Sequence, residues 1–519
     1  MGKKTTVLLM LDGFGISDNK KNNAFYEAKT PVLDKLMKEY PTARGLSSGI
    51  AVGLPNGQPG NAEVGYRNIG AGRIVYQELS RINKEIMQRS FFENEVLLET
   101  IDHCRRNDSA LHIMGLLSDG GVHSHIRHLY SLLELAAANG LRKVYVHCFT
   151  DGRDAPVHSG SRYIEHLQAA MREIGAGEIA TVSGRYYAMD RDNNYDRIKA
   201  VYLAMTQGEG NKASNAVEAV LASYDNGITD EFIKPTVIVN GGVPVGTVND
   251  DDSVIFFNFR PDRARELTRA FCEDEFRMFK RERLNNICFS CFNDYDTSIE
   301  NKNSILSVQP VVNTLGEYIS LCGGTQLRLA ESETASYVTV FFDSRQGEPY
   351  DGEDRLIIRS LKNVETYDRV PGMNSPAVCD RLVSEIDGGR YDFILCSLPN
   401  ADVVGHTGSM EASVRACETV DECVGRIYDA VIRNGSVMFI CSTHGKAEQL
   451  TYNPAPEHEE PFTGHTMNPV PVIMVNYTEG VGLRDIGCLA DIAPTILESM
   501  DIKKPREMTG KSLLERLNV

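Results

Sequence analysis

Thr6-Val-Leu-Leu-Met-Leu-Asp12 is an apolar run that stops abruptly at a carboxylate, with Gly13 next. A run without polar alternation marks a strand covered on both faces, as in a parallel sheet flanked by helices. Its aspartate then falls at the carboxyl end of the strand, the edge of an open α/β sheet where sites form. Comparable runs ending in polar residues recur at 144–150 (VYVHCFT), 254–259 (VIFFNF), 393–397 (FILCS) and 437–442 (VMFICS). Between them SHIRHLYSLLELAAAN and MEASVRACETVDECVGRIYDAVIRN carry helical periodicity. The alternation predicts a doubly wound α/β architecture.

A chain of 519 residues exceeds one ordinary domain. The helix-like stretch at 76–90 (YQELSRINKEIMQRS) reads as a crossing into a second α/β domain, and the segment around 299–310 as the return. The expected division is a discontinuous domain of residues 1–76 and 311–519, with residues 77–310 inserted. No internal repeat or low-complexity segment interrupts this plan.

A formal net charge of −17 argues against nucleic acid or an anionic membrane as main partner, while leaving room for a local basic pocket. No run approaches the roughly 18 to 20 apolar residues of a membrane helix. The N-terminus MGKKTTVLLMLDGFG is not read as a signal peptide. Of the twelve cysteines, Cys288 and Cys291 form the CxxC, within the strand-like ICFSCF. Alternation puts their sulfurs on opposite faces, so they are read as core, and a reducing cytoplasm is the expected compartment.

Two groups of residues carry chemistry. In the first, Asp402 and His406 stand four apart at a strand-to-helix junction, and His444 and His465 follow in loops. With Asp12 they offer the carboxylate and imidazole donors that suit Mn²⁺, Zn²⁺ or Mg²⁺, although a single histidine is more often structural than a ligand. In the second, the glycine-punctuated loops Ser118–His125 and Asp151–Asp154 are followed by Arg185, Arg191, Arg260 and Arg263. Any one of these arginines alone is a solvated surface residue. Their repeated placement near strand ends of an acidic chain favours an anion site holding phosphate or carboxylate.

The ordered set LMLDGFG, GNAEVGYRNIGAGRIVYQ, SDGGVHSH, TDGRD, SGRYYAMDRD, FFNFRPDRAR, GEDR, NADVVGHTG and HGKAE, followed by GHTMNPVPVI, runs from residue 9 to about 515. It resembles the motif set of the cofactor-independent (2,3-bisphosphoglycerate-independent) phosphoglycerate mutases of the alkaline phosphatase superfamily. The resemblance implies a phosphatase-like domain with two divalent metals, commonly manganese, and a serine nucleophile. It also implies an inserted domain that binds a phosphorylated three-carbon acid, and a monomer. Asp402, His406 and His465 are expected to hold one ion. The positions of the second are Asp12, Ala62, Thr443 and His444, where the family has an aspartate, the serine and an Asp-His pair. His123, Arg153, Asp154, Arg185, Arg191, Arg260 and Arg263 match the family's substrate positions.

The departures lie in the phosphatase half. Ala62 replaces the nucleophile, Tyr66 the histidine of GNSEVGH, Thr334 the lysine of an ETEKY-like motif, and Lys446 the asparagine of DHGN. A methyl group neither attacks phosphorus nor ligates metal, so the family's mutase reaction is expected to be nearly absent. One altered position would fit an engineered trap; this set does not. Lys446 is expected either to place an ammonium where the second ion would sit or to be a solvated surface residue. Ser118, Ser124 and Ser442 are read as hydrogen-bonding scaffold rather than substitute nucleophiles.

Three functions fit these residues. A direct transferase would pass a phosphorus group from a second, activated donor to a phosphoglycerate-like acceptor on at least one retained ion, without a phosphoserine. A non-catalytic binder would keep only the anion pocket. A working mutase would need a nucleophile that no residue here supplies.

Overall fold

The computed structural model describes residues 4–306, 310–362, 364–452 and 460–516. The chain divides into two compact units, residues 1–77 with 310–519, and residues 78–309. The expected return between domains includes residues 307–309, which lie outside the described residues.

Unit 1 is built on an eight-stranded sheet. Its order is Glu353–Ile358, Gln326–Glu331, Phe393–Ser397, Thr6–Met10, Val437–Cys441, Val470–Val475, Thr42–Leu46, Ile486–Cys488. The opening apolar run is the fourth strand, parallel to both neighbours, with Thr6 opposite Phe393 and Val437. All five of its residues are buried. Val7 and Leu9 pack with the helices Pro31–Glu39, Ser375–Gly388 and Met410–Arg433. Leu8 and Met10 pack on the other face with Ala62–Ala71, Leu315–Leu321 and Ile492–Ser499. Successive side chains therefore bury on opposite faces, which is why the run shows no polar alternation. The fold is the doubly wound α/β plan, with Val470–Val475 as an antiparallel insertion beside Val437–Cys441.

Three adjacent parallel strands end together and deliver the site. Thr6–Met10 leads to Asp12, Val437–Cys441 to Thr443 and His444, and Phe393–Ser397 to the short helix Asn400–Gly405 that carries Asp402. Helix Ala62–Ala71 starts where Asn61 accepts a hydrogen bond from the Val64 N–H at 2.9 Å, and ends at Gly72 with φ +60°. The helix lies close over this edge because Gly65 has no side chain: a Cβ there would fall 2.4 Å from Thr443 Cβ.

Unit 2 holds a nine-stranded sheet whose central strands Ser253–Phe256, Leu111–Leu116, Val144–Thr150 and Glu178–Gly184 are mutually parallel. Their carboxyl ends deliver Asn258 to Arg260, Ser118, Asp151 and Arg185 to one edge. The strand read at 254–259 stops at Phe256, because Asn258 Oδ1 turns to accept the Leu116 N–H at 2.9 Å. Cys288–Cys291 is a strand, with Cys291 buried and Cys288 half-buried. No helix among the described residues is long and apolar enough to cross a membrane.

Candidate functional site

In unit 1, three imidazoles converge on one carboxylate oxygen. Asp402 Oδ1 lies 2.8 Å from His444 Nε2, 3.2 Å from His406 Nε2 and 3.4 Å from His465 Nε2. The other ring nitrogens are already held. His406 Nδ1 meets the Thr463 carbonyl at 2.7 Å and His465 Nδ1 the Gly60 carbonyl at 2.9 Å. A carbonyl only accepts, so both Nδ1 atoms carry a proton, and when a ring is neutral its Nε2 presents a lone pair.

The third ring is set by a longer relay. Thr443 Oγ1 donates to Asp12 Oδ1 at 2.6 Å, so its single proton is committed there and it accepts from His444 Nδ1 at 2.9 Å. His444 therefore also presents Nε2. His406 Nε2 and His465 Nε2 stand only 3.1 Å apart, two lone pairs facing each other unless a proton or cation lies between them. Imidazoles oriented through Nδ1 around a carboxylate are the donor set of a divalent ion, and these residues fit one. Burial acts to raise the Asp402 carboxyl, but His444, His406 and His465 overrule it and hold it well below the usual carboxylate range.

The expected second ion position does not fit. Asp12 is fully buried, and both of its oxygens are engaged by hydroxyls: Oδ1 by Thr443, and Oδ2 by Tyr66 at 2.9 Å. Burial, then the neighbouring Asp12, push the Tyr66 phenol well up, so it stays a donor. Its ring stacks on Tyr337, centroids 5.7 Å apart. Ala62 contributes a buried methyl at the first turn of its helix. The sequence grouped His444 with Asp12; the structure brings its Nε2 to Asp402 instead, because Thr443 turns the ring that way.

Lys446 corrects the surface alternative, since it is fully buried. Nor does it hydrogen-bond to Asp12: its Nζ donates to the Phe462 carbonyl at 2.6 Å. Burial lowers its ammonium to about 8, while Asp402 and Glu448 act the other way. Thr334 is also buried, and its hydroxyl has no hydrogen-bond partner. Ser442 Oγ donates to the His444 carbonyl, Ser118 Oγ to Asp151, and Ser124 Oγ to the Leu116 carbonyl.

Unit 2 gathers the predicted cationic residues. Arg185, with 3% of its side chain exposed, donates from Nη1 to Asp151 Oδ1 and Asp154 Oδ2, both at 2.6 Å. Arg153 meets Glu231 at 2.6 Å, and Asp262 lies 2.9 Å from both Arg191 and Arg260. Arg263 donates to the Met189 carbonyl, and burial followed by Arg191, Arg185 and Arg153 lowers its guanidinium. Burial and then Arg185 push the His123 imidazole down to about 4, leaving it neutral at pH 7. Asp151, Glu231 and Asp262 were not singled out from sequence. Asp151 and Asp262 sit inside the TDGRD and RPDRAR motifs and were findable there; Glu231 carries no motif signal.

These two units define a class, an α/β protein with a carboxylate–imidazole cluster fit to hold a metal ion in one unit and a guanidinium cluster in the other. The family described as BPG-independent PGAM N-terminus (iPGM_N) matches residues 82–297. The 2,3-bisphosphoglycerate-independent phosphoglycerate mutase of Lachnoclostridium phytofermentans is 54% identical over 517 residues, spanning 99% of both chains. That of Clostridium perfringens is 51% identical over 518 residues, spanning 99% of this chain and 100% of the relative. A crystal structure of Leishmania mexicana phosphoglycerate mutase at low cobalt concentration shares 28% identity with a TM-score of 0.58, over 99% of this chain and 98% of that one. The chain belongs to the 2,3-bisphosphoglycerate-independent phosphoglycerate mutase family.

Proposed function

We propose that this chain is a metal-dependent phosphotransferase that binds a phosphoglycerate-like acid and moves a phosphorus group directly between donor and acceptor. The observation that carries this reading is the state of the nucleophile pocket. Ala62 offers no attacking atom, and the Asp12 oxygens beside it already accept from Tyr66 and Thr443. The guanidinium cluster of unit 2 supports retention of an anionic substrate: Arg153, Arg185, Arg191, Arg260 and Arg263 outnumber the carboxylates of Asp151, Asp154, Glu231 and Asp262 that pair with them. In a direct transfer the acceptor oxygen bonds phosphorus as the donor's phosphorus–oxygen bond breaks. The acceptor's proton passes to solvent and the donor leaves as an anion.

Asp402, His406, His444 and His465 would hold the divalent ion, with Mn²⁺ the first choice and Mg²⁺ or Zn²⁺ the alternatives. The ion would supply charge stabilisation of the phosphorus oxygens. Lys446 and the helix start at Ala62 add positive character at the same edge. A reducing cytoplasm and a monomer complete the reading. The second reading is interconversion of 2- and 3-phosphoglycerate, favoured by the names of relatives with 54% and 51% identity.

Phosphorus NMR of the manganese-loaded chain with 3-phosphoglycerate separates the two. Formation of 2-phosphoglycerate at an ordinary enzymatic rate would establish the mutase reading and end the transferase one. Broadening of the ligand resonance without product is the outcome expected here, and a screen of phosphorylated donors with 3-phosphoglycerate as acceptor then follows. Binding with no turnover for any donor would leave a pure binding protein.

A further inference from the structure

We infer that unit 1 carries one metal site of four protein donors, in which His444 joins Asp402, His406 and His465, and that Asp12 is not a ligand but the anchor that aims His444. The argument begins at Tyr66. Its hydroxyl donates to Asp12 Oδ2, Thr443 donates to Asp12 Oδ1, Thr443 accepts from His444 Nδ1, and His444 Nε2 reaches Asp402 Oδ1. Every proton from Tyr66 to His444 Nδ1 has one consistent position, and the relay ends where His444 Nε2 faces Asp402 Oδ1, a gap for a cation or a further proton. Partly satisfied relays are costly in a low-dielectric interior, so the two hydroxyls hold Asp12 where a bare carboxylate would otherwise need a counter-ion.

The donor atoms support the same count. Asp402, His444 and His465 each offer an atom within 4.8 Å of the others. His406 Nε2 lies 3.1 Å from His465 Nε2 and 3.2 Å from Asp402 Oδ1. His444 thus shares Asp402 Oδ1 with both His465 and His406, the oxygen on which a single ion would draw all three rings. At the second ion position Ala62 brings no donor atom, and both Asp12 oxygens already accept from hydroxyls. Three imidazoles with one carboxylate also shift preference from Mg²⁺ toward ions that favour nitrogen, such as Zn²⁺. Asp12 and Thr443 thus act through His444 as positioning residues.

The inference deepens the transferase reading, and metal counting tests it independently of turnover. Full-length protein is saturated with Mn²⁺, the bound ion is counted by elemental analysis, and its environment is read by electron paramagnetic resonance. One ion per chain is expected, with an uncoupled six-line spectrum and nitrogen modulation from three imidazoles. Two ions with an exchange-coupled spectrum, or modulation from only two imidazoles, would overturn the site. His444→Ala is expected to weaken Mn²⁺ binding by more than the about 10- to 100-fold that loss of an outer partner costs, and Thr443→Val by about that amount. A folded His444→Ala protein that binds one ion with unchanged affinity also overturns it. Should that variant fail to fold, the nitrogen count in the unaltered protein decides alone. Two ions without phosphoglycerate interconversion would sink this site and spare the transferase reading; one ion with ordinary mutase turnover would do the reverse.

Discussion

The two charged sites solve the same electrostatic problem in opposite ways. In unit 2 the buried guanidinium of Arg185 meets fixed opposite charges, lying between Asp151 and Asp154. In unit 1 the imidazoles point their lone pairs at a carboxylate and at each other, an arrangement that protein groups alone do not satisfy. The first site pairs most of its charges internally and keeps guanidinium in excess over carboxylate, as an anion site requires. The second calls for a cation. Within unit 1 the contrast repeats on a smaller scale, because Asp12 is satisfied by hydroxyls whereas Asp402 is not.

The largest effect that tests this contrast is catalytic. The natural chain is expected to interconvert 2- and 3-phosphoglycerate about 10⁴ to 10⁶ more slowly than a serine-bearing enzyme. Ala62→Ser alone should recover little of this, because Tyr66 and Thr443 still engage Asp12. Combining it with Tyr66→His and Thr443→Asp should recover at least about 10³-fold. Phosphorus NMR time courses of the single and triple variants measure both. Full recovery by the serine alone would show that the Asp12 hydroxyls do not matter.

Arg185→Ala comes next. It strands two carboxylates in a buried setting, and breaking such a pair costs about 3 to 5 kcal/mol. A fall in the thermal midpoint of roughly 6 to 20 °C is expected for a unit of this size. Added phosphate should deepen the fall rather than reverse it, since the anion loses its counter-charge. A loss under about 1 kcal/mol would mean that solvent reaches those carboxylates.

Tyr66→Phe should cost about 1 to 3 kcal/mol by leaving Asp12 Oδ2 unpartnered. Denaturant unfolding in metal-free buffer reads this directly. Excess Mn²⁺ that rescued the variant by occupying Asp12 would show that the hydroxyl had been excluding an ion.

The smallest effect is the pH response of unit 2. The His123 imidazole titrates at about 4 in the fold, below its unfolded value of about 6.5. The unfolded chain binds the extra proton first, so the stability His123 contributes is complete above about pH 6.5 and is lost as pH falls through 4. His123→Gln should flatten that part of the stability profile, and an imidazole NMR titration midpoint near 6.5 would contradict the burial that lowers it.

Parts of this were legible in the sequence because they depend on local pattern. The unbroken apolar run 6–12 encodes a strand buried on both faces, and Val7/Leu9 and Leu8/Met10 divide between those faces as alternation requires. The motif order encodes the family, and TDGRD and RPDRAR encode the cationic residues. Asp402 with His406 was readable because four residues span one helical turn. The resemblance grouped His444 with Asp12, and sequence spacing says nothing about which way the ring turns, which in the structure is toward Asp402.

Sequence by itself determined the strands, the alternation with helices, the family and the absence of a nucleophile at position 62, since each is a property of residue identity and spacing. Only the tertiary structure decided that Tyr66 and Thr443 engage the two oxygens of Asp12, that Lys446 is buried against the Phe462 carbonyl, and that His444 Nε2 lies against Asp402 Oδ1. Those pairs lie 16 to 431 positions apart and meet near the joined ends of parallel strands, where hydrogen-bond direction is set by three-dimensional neighbours.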